Sequence, residues 1–338
     1  MTEDMLQVLP ITDTLTVPYV SEEAYGQVMT EVVEPALAAL RTEKDLPVSG
    51  GTLHTESYVL PGAQRAVILL HGYTESAEKL RELAWYFVRA GFSVFSWDQR
   101  GHGRSLRHVD DESITHVEHF HDYVADAEAM LRELVEPGLH GAKLCLFGHS
   151  MGGAVSAHLL LAHPELFDRA VLSSPMIVPS SGSIPLPVAT ALTKALCLVG
   201  KAKDRAFIAG PFDPEKERFE TSCTTSPARF AYYRDKRVAH RYLQNCSPTY
   251  GWTKEAVDQT KPLMKAEDEA RITTPVLLCQ ASLDDVVMLP PQDAYIRLLP
   301  KGRLVRFEGA KHEIYNATDD VMRPYVRQVL RFMLGLDG

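Results

Sequence analysis

The chain has 338 residues, 45% hydrophobic and 23% charged, a composition typical of a globular protein with a sizeable core. Its 35 basic and 44 acidic residues give a net charge of −9, which argues against general electrostatic attraction to nucleic acid or an anionic membrane. The five cysteines lack CxxC spacing and indicate a reducing, cytoplasmic location, and no apolar run reaches the roughly 20 residues of a membrane span. The acidic start, MTEDMLQVLPITD, is not typical of a signal peptide.

Strands and helices are predicted to alternate along most of the chain. Apolar runs rich in Val, Ile and Leu predict buried strands at residues 65–72, 92–98, 143–148, 169–175, 275–282 and 303–309. Helical spacing of apolar residues predicts helices at residues 77–91, 116–138, 151–164 and 290–300, and from about residue 321. This alternation predicts an α/β fold with a mainly parallel sheet and helices on both faces, and ligands bind such sheets at the carboxyl ends of the strands.

Two parts of the chain depart from this alternation. The predicted units are an N-terminal lead-in at 1–45, the core at 46–175 and 271–338, and an inserted helical cap at 176–270. The lead-in contains one helical stretch at residues 21–41, which Pro35 is expected to interrupt. The cap is expected to cover the carboxyl edge of the sheet.

The cap contains a helical pattern of apolar residues. They are Ile184, Val188, Leu192, Ala195, Leu196 and Val199. We interpret this face as packed on the core. The alternative is that it lines an acyl pocket or meets a lipid surface.

The stretch LCLFGHSMGGA, residues 144–154, carries the strongest indication of chemistry. A predicted strand ends at Gly148, and Ser150 stands between Gly148 and Gly152 at the start of a helix, which is the G-x-S-x-G pattern of a nucleophile elbow. The tight turn strains the backbone of the serine, so both flanking positions need glycine. The pattern predicts Ser150 as a nucleophile and the backbone N–H of Met151 as an oxyanion donor.

A nucleophilic serine needs a base and an acid that orients the base, in the chain order Ser, Asp or Glu, His. Asp284 follows the predicted strand at 275–282, and His312 follows the predicted strand at 303–309. We favour Asp284 over Asp285, although both follow the same strand. His312 is the predicted base because it lies just past the last strand of the sheet.

The second oxyanion donor is expected in HGYTES, the loop after the predicted strand at 65–72. Gly72 allows a tight turn there, and Tyr73 offers its backbone N–H. Three loops that follow three different strands would then meet at one edge of the sheet.

Two other patterns suggest different chemistry, and we reject both. The histidines of HVEHFHD, His116, His119 and His121, lack H-E-x-x-H order, and His121 points away from the helix face of the other two, so we predict a solvated helix start. The glycines of DQRGHGRS, residues 98–105, lack the spacing of a phosphate-binding loop, and this segment is expected to line the sheet edge. The sequence therefore predicts no cofactor and no metal.

With these motifs placed, the chain resembles the α/β-hydrolase superfamily, and within it the bacterial lysophospholipase and monoacylglycerol lipase group. The matching blocks are HGYTESAEKLRELAWYFVRAGFSVFSWDQRGHGRS, FGHSMGG, QASLDDVV and EGAKHEI, in this order. Two blocks of the predicted cap, SPARFAYYRD and SPTYGWTKEA, are similar to the lysophospholipase branch. The resemblance covers roughly residues 50 to 335, with one departure at Ala281, where many relatives carry glycine.

By matching position, the resemblance places the family's nucleophile on Ser150, its acid on Asp284, its base on His312 and its oxyanion donors on Tyr73 and Met151. It implies a serine hydrolase that cleaves carboxylic esters of single-chain lipids, a lysophospholipid or a monoacylglycerol, through an acyl-enzyme. The alternatives are an esterase for short-chain or aromatic esters, a peptidase on the same scaffold, and a non-catalytic binding protein. The expected partner is a small-molecule or lipid ester, with transient membrane-surface contact through the cap and no nucleic acid.

Overall fold

The structure, a computed structural model, describes residues 17–206 and 210–336. Its strands are β1 (Arg41–Val48), β2 (Gly51–Tyr58), β3 (Arg65–Leu70), β4 (Phe92–Trp97), β5 (Ile114–Thr115), β6 (Lys143–His149), β7 (Arg169–Ser173), β8 (Ser247–Pro248), β9 (Val276–Ala281) and β10 (Gly302–Phe307). Within the described ranges eight of them form one sheet in the order β1-β2-β4-β3-β6-β7-β9-β10. The sheet is parallel from β4 to β10, β2 pairs antiparallel with β4, and β1 pairs antiparallel with β2.

Helices cover both faces of this sheet, and further helices lie in the segment between β7 and β9. They are α1 (Tyr25–Val28), α2 (Glu34–Leu40), α3 (Arg81–Arg89), α4 (His121–Met130), α5 (Glu136–Leu139), α6 (Met151–Ala162), α7 (Leu186–Leu196), α8 (Pro227–Ala239), α9 (Tyr250–Asp258), α10 (Ala266–Glu269), α11 (Leu289–Leu298) and α12 (Asp319–Leu334). One hydrophobic cluster joins the sheet to α1, α2, α3 and α12, and a second joins it to α4, α6, α9 and α11. Among the helices of the described residues, none has both the length and the apolar composition that crossing a bilayer requires.

The predicted alternation of strands and helices is confirmed. Each of the six apolar runs forms a strand whose ends lie within two residues of the prediction. The runs are continuous because β3, β4, β6, β7 and β9 are buried on both faces. The hairpin of β1 and β2 is not predictable in this way, since β1, RTEKDLPV, is mostly exposed and β2, GTLHTESY, buries polar residues.

The predicted helical stretch at residues 21–41 is present, and helical residues run without a break from Glu22 to Leu40. The expected interruption at Pro35 is wrong. Pro35 lies in the first turn of α2, directly after a π-helical segment, where its missing N–H and fixed φ are tolerated. The apolar side of this stretch is buried; Leu37, for example, packs in the cluster with α3 and α12. Residues 1–16 of the predicted lead-in, including the N-terminal stretch assessed for a signal peptide, lie outside the described residues.

Between β7 and β9 the chain leaves the main sheet and contributes α7, α8, α9, α10 and the short strand β8. In α7 the interpretation of the apolar pattern at 184–199 as a face packed on the core is wrong. Val188 is 56% exposed, Leu192 42% and Val199 71%, whereas Thr193 is 7% exposed. A threonine can face inward here because its hydroxyl donates to a carbonyl of its own helix at 2.8 Å.

Candidate active site

Ser150 lies where β6 ends and α6 begins. Its φ of +52° and ψ of −114° are strained for a residue with a side chain. Three backbone hydrogen bonds hold this conformation, because the Ser150 N–H donates to Ser173 at 3.0 Å, and the Ser150 carbonyl accepts from Ala154 at 3.1 Å and from Met176 at 2.9 Å. The elbow conformation predicted for GHSMG is therefore present.

The glycines of this turn are required by close approach of the backbone. A Cβ on Gly152 would overlap the carbonyl oxygens of Leu70 and His71 at the end of β3. A Cβ on Gly148 would overlap the carbonyl of Gly152 on the next turn. The first turn of α6 thus packs directly on the loop that follows β3, and this packing brings Ser150 next to that loop.

His312 and Asp284 form a hydrogen-bonded pair on the loops that follow β10 and β9. Nδ1 of His312 lies 2.8 Å from Oδ2 of Asp284, and the two side chains are 5% and 0% exposed. The other carboxylate oxygen of Asp284 accepts from the backbone N–H groups of Val286 at 3.0 Å and Val287 at 3.1 Å. Asp285 is exposed, so Asp284 is the one of these two carboxylates that bonds to the imidazole.

The elbow, the loop after β3 and the loop that carries His312 lie next to one another. The ring of His149, the residue before Ser150, lies 4.8 Å from the His312 ring, centroid to centroid. A Cβ on Gly72 would lie 3.1 Å from Cβ of Ser150 and 3.0 Å from Cδ2 of His149. Within the described residues no hydrogen bond joins the Ser150 hydroxyl to His312; such bonds are often long or misaligned before substrate binds.

Two backbone N–H groups border this place. Met151 is the first residue of α6, and the first N–H groups of a helix have no partner within the helix. Tyr73 follows Gly72 in the loop after β3, and its ring packs against Trp252 of α9 with centroids 4.2 Å apart. Across the described residues, neither the Tyr73 nor the Met151 N–H donates a backbone hydrogen bond. Both are therefore available to an oxygen atom bound at the elbow.

The sequence does not predict the role of Glu75, a buried carboxylate below the Gly72–Tyr73 turn. One oxygen accepts from the Gly72 N–H at 2.6 Å, and the other accepts from the Tyr315 hydroxyl at 2.7 Å and lies 3.1 Å from Nζ of Lys79. Burial by itself would raise the pKa of Glu75, but the positive charge of Lys79 and these hydrogen bonds hold it well below its ordinary value. Its position three residues after Gly72 is the only sequence signal for this role.

Two further histidines beside the site stay uncharged. Burial lowers the pKa of His149 to about 4 despite the nearby carboxylate of Glu75, 3.6 Å from its Nε2. Burial also holds the pKa of His102 well below its ordinary value. The ring of His102 lies edge-on to Tyr73 with centroids 5.7 Å apart, so this residue of the segment 98–105 lies beside the loop that follows β3.

Two cavities are lined in part by residues next to predicted site residues. The first, here the apolar cavity, has a volume of about 170 Å³ and is lined by Ile184, Leu186, Ala189, Trp252 and Val257, among others. The second, here the polar cavity, has a volume of about 190 Å³ and is lined by Thr74, Lys79, Arg218, Arg234 and Glu313, among others. Each lining includes a neighbour of a predicted site residue, because Trp252 of the apolar cavity packs on Tyr73 and Glu313 of the polar cavity follows His312 in the chain.

One cluster in the described part of the chain brings possible metal-ligating atoms together. Atoms of Glu43, His54 and Glu56 lie within 4.8 Å of one another on β1 and β2, at the sheet edge and not at the elbow. Glu56 already forms an ion pair with Arg81, whose Nη2 lies 2.5 Å from Oε1 of Glu56. Of the histidines assessed for a metal site, His116 is buried and bonds to the Thr249 hydroxyl at 2.8 Å.

Comparison with known proteins agrees with this geometry. The family described as "Hydrolase_4: Serine aminopeptidase, S33" matches residues 61–319. Lysophospholipase L2 of Escherichia coli K12 is 30% identical over 79% of this chain and 80% of its own length. A monoglyceride lipase homolog of Monkeypox virus is 25% identical over 78% of this chain and 87% of its own length.

Solved structures share the fold. A soluble variant of monoglyceride lipase from Saccharomyces cerevisiae, in complex with a substrate analog, superposes with a TM-score of 0.69 and 17% identity over 97% of this chain and 99% of its own. The family match spans most of the chain, including the elbow and the residues that pair beside it. The chain therefore belongs to the Hydrolase_4 (serine aminopeptidase S33) family, in the lysophospholipase and monoglyceride lipase group of the α/β-hydrolases.

Proposed function

We propose that the protein is a serine hydrolase that cleaves the carboxylic ester of a single-chain lipid, a lysophospholipid or a monoacylglycerol. The observation that carries this proposal is the buried His312–Asp284 pair beside a serine in a strained strand-to-helix turn. A hydroxyl, an imidazole and a carboxylate in this arrangement perform acyl transfer on several unrelated folds. Ester hydrolysis by relatives named lysophospholipase and monoglyceride lipase supports the same class.

In the proposed reaction, Oγ of Ser150 attacks the ester carbonyl while Nε2 of His312 takes the hydroxyl proton. Asp284 accepts from Nδ1–H, which fixes the imidazole tautomer and stabilises the imidazolium that forms. His312 then protonates the departing alcohol, and an acyl-enzyme remains. Water, deprotonated by the same imidazole, attacks this ester and releases the fatty acid and Ser150.

The tetrahedral intermediates carry a negative oxygen, and we assign its stabilisation to the N–H groups of Tyr73 and Met151. Each preorganised donor of this kind lowers the barrier by about 3 kcal/mol. The proposal needs no metal and no cofactor. The apolar cavity beside Tyr73 would hold the acyl chain, since its lining offers mainly carbon atoms.

The test replaces the nucleophile and keeps a matched control. Ser150→Ala is expected to lose about a million-fold in kcat on lysophosphatidylcholine and on 1-monoacylglycerol, because the members of such a triad act as a unit. Ser96→Ala removes another buried serine, on β4, whose hydroxyl donates to the Leu69 carbonyl, and should keep activity. Activity of Ser150→Ala within tenfold of the wild type would refute the proposal.

The alternatives make different predictions on the same protein. Nitrophenyl esters of rising chain length separate a lipid hydrolase, whose kcat/KM increases with chain length, from a short-chain or aromatic esterase. The family description names an aminopeptidase, so amino-acid nitroanilides form a second series. Turnover of the nitroanilides, with none of the esters, would assign the site to peptide substrates. A non-catalytic binding protein would not be labelled by a fluorophosphonate probe.

The proposal also includes residues 176–270 as a cap with an apolar outer surface. Val188 is 56% exposed, and Leu198 and Val199, in the π-helical segment after α7, are 87% and 71% exposed. Exposed apolar side chains of this kind support transient contact with a lipid surface. The double variant Val188→Ser, Leu198→Ser should bind phosphatidylcholine vesicles more weakly and hydrolyse nitrophenyl acetate normally. Unchanged vesicle binding would contradict this part. A cytoplasmic location stays a prediction from the sequence.

A further inference from the structure

The loop between β10 and α12, which carries His312, is hydrogen-bonded to the segment that leads into α8. This loop, residues 308–318, is here called the histidine loop, and the segment, residues 222–226, is here called the strap. The bonds join Lys311 Nζ to the Ser222 carbonyl at 3.1 Å, the Glu313 N–H to the Cys223 carbonyl at 2.9 Å, the Thr224 hydroxyl to the Asn316 carbonyl, and the Thr318 N–H to Oγ1 of Thr225 at 3.1 Å. They lie on both sides of His312, so a part of the predicted cap holds the loop of the proposed base.

The helix that follows the strap, α8, places the side chain of Arg229 in the core, where it is buried. Nε and Nη2 donate to the two carboxylate oxygens of Glu82 on α3 at 3.1 and 3.0 Å, and Nη2 also donates to the Val20 carbonyl at 2.9 Å. Nη1 donates to the Ala317 carbonyl and to the Asp319 carboxylate, each at 3.1 Å. These contacts use all five donors of a rigid, planar group. Arg229 therefore joins α3, the N-terminal segment and the end of the histidine loop in one fixed geometry.

Glu22, at the start of the N-terminal helical stretch, connects the end of the strap to the start of α12. One carboxylate oxygen accepts from the hydroxyl of Ser226, the N-cap of α8, at 2.5 Å, and the other accepts from the N–H of Asp319 at 3.0 Å. The N–H of Glu22 donates in return to Oδ2 of Asp319 at 3.2 Å. The family match begins at residue 61, so a residue outside the matched region fixes both the strap and the end of the histidine loop.

The other end of α8 is also paired with the N-terminal helical stretch. Nζ of Lys236 lies 2.6 Å from Oε1 of Glu34 on α2, and Oε2 of Glu34 lies 3.0 Å from Nη1 of Arg81 on α3. These side chains are at most 20% exposed, and partly buried pairs are screened little by salt. Moving α8 away from the core would separate these charges, so α8 is a fixed part of the cap.

We propose that Arg229 and Glu22 are positioning residues for His312. This inference rests on the proposed function. The two residues hold the strap, and the strap holds one side of the histidine loop. The other side bonds to the loop after β9, where the Leu283 N–H donates to the Ala310 carbonyl at 2.9 Å. Because a displacement of about 1 Å in a catalytic group lowers a rate by about 10²-fold, the N-terminal segment and α8 contribute to the proposed reaction without touching the substrate.

The first experiment compares two substitutions of Glu22 with a neighbouring control. On nitrophenyl acetate, Glu22→Ala should lower kcat by about tenfold or more and leave KM within about twofold, since a displaced base affects the transition state and not substrate binding. Glu22→Gln keeps an oxygen for the Asp319 N–H and an NH₂ group for the Ser226 hydroxyl, so its kcat should stay within about threefold of the wild type. Glu23→Ala, which removes the exposed glutamate next in the chain, is the matched control.

Two measurements separate positioning from a loss of folded protein. First, kcat is expressed per active site, counted by complete labelling with a fluorophosphonate probe at a temperature where circular dichroism shows each variant to be folded. Second, proton NMR follows the Nδ1–H of His312, which lies in the hydrogen bond to Asp284. This resonance should shift or broaden in Glu22→Ala and stay unchanged in Glu23→Ala.

The second experiment changes the strap and Arg229 directly. Thr225→Val keeps the shape of the side chain and removes the acceptor of the Thr318 N–H, whereas Thr225→Ser keeps that acceptor. We expect a lower kcat at unchanged KM for valine and a kcat close to the wild type for serine. Arg229→Lys keeps the positive charge beside Glu82 but has three donors in place of five, so it should also lower kcat at unchanged KM. The Glu22 and Thr225 variants decide the question if Arg229→Lys does not fold.

The outcomes distinguish this inference from the proposed function. Wild-type kcat per active site in Glu22→Ala and Thr225→Val, even with a lower Tm, would overturn the inference. An equal loss in Glu23→Ala, or no recovery in Glu22→Gln, would also overturn it. A higher KM at unchanged kcat would assign the strap to substrate binding and overturn it as well. Failure of the wild type to hydrolyse any ester, or full activity of Ser150→Ala, would overturn the proposed function itself.

Discussion

Replacing Glu75 by glutamine tests how the Gly72–Tyr73 turn, which carries a proposed oxyanion donor, is held in place. The carboxylate accepts from the Gly72 N–H at 2.6 Å and the Tyr315 hydroxyl at 2.7 Å, and it lies 3.1 Å from Nζ of Lys79. An amide can keep two of these contacts at most, because its NH₂ group cannot accept from Lys79 or Gly72. The variant Glu75→Gln therefore loses one charge-assisted bond and weakens a buried ion pair.

The magnitude follows from the contacts that remain. Losing one partner of a buried ion pair costs about 3–5 kcal/mol, and Lys79 keeps Glu313 at 2.6 Å, so we expect about 3 kcal/mol of destabilisation. The entropy of unfolding, about 2.1 cal/mol/K per residue, is about 0.7 kcal/mol/K for this chain. Dividing the loss of about 3 kcal/mol by this entropy gives a Tm lower by about 4 °C. Movement of Gly72 and Tyr73 would also displace one of the two proposed oxyanion donors, and the full loss of such a donor costs about 10²–10³ in kcat.

The assay measures Tm by calorimetry and kcat and KM on 1-monoacylglycerol. We expect kcat to fall at least about tenfold with little change in KM, since the donor acts on the transition state. Glu133→Gln, an exposed glutamate on the π-helical segment after α4, is the matched control. The pKa of Glu75 is lowered in the fold, so its contribution is present above its ordinary pKa and is lost as pH falls below that value. A variant with wild-type Tm and kcat would refute the reasoning.

Two further predictions concern other carboxyl groups. Asp284→Asn should lower kcat by about 10⁴, because an amide favours the wrong imidazole tautomer of His312, whereas the exposed Asp285→Asn should leave kcat within about twofold. Burial, together with the neighbouring Asp268, raises the pKa of Glu269 to about 8 from 4.5. The folded state therefore loses stability as pH rises from 4.5 through about 8, and Glu269→Gln should raise Tm by an amount that grows over that window.

A specific result would contradict each of these two predictions. Equal losses of kcat in the two aspartate variants would mean that the imidazole is not oriented by Asp284. A Tm difference between wild type and Glu269→Gln that does not change with pH would mean that the carboxyl group ionises in the fold as it does in the unfolded chain. Glu269→Ala is the control for the amide group, since it removes the carboxyl group without introducing an amide.

The core of the fold could be predicted from the sequence because it depends on local patterns. Parallel strands buried on both faces must be continuous apolar runs, and the helices between them must present one apolar side, so both are visible in the chain itself. The elbow is equally local, since Gly148, Ser150 and Gly152 are close neighbours whose spacing has one steric explanation. Strand order then brings Asp284 and His312 to the same edge, which the α/β pattern implies.

The tertiary structure alone decided what lies around that site. Glu75, His149 and Trp252 come from separate segments, and no periodicity relates them. The sequence also could not predict which side of α7 is exposed. An apolar side of a helix is buried only if another apolar surface packs against it. Local patterns determine which residues are able to be buried. The packing of distant segments determines which of them are buried, and so which polar groups surround Ser150.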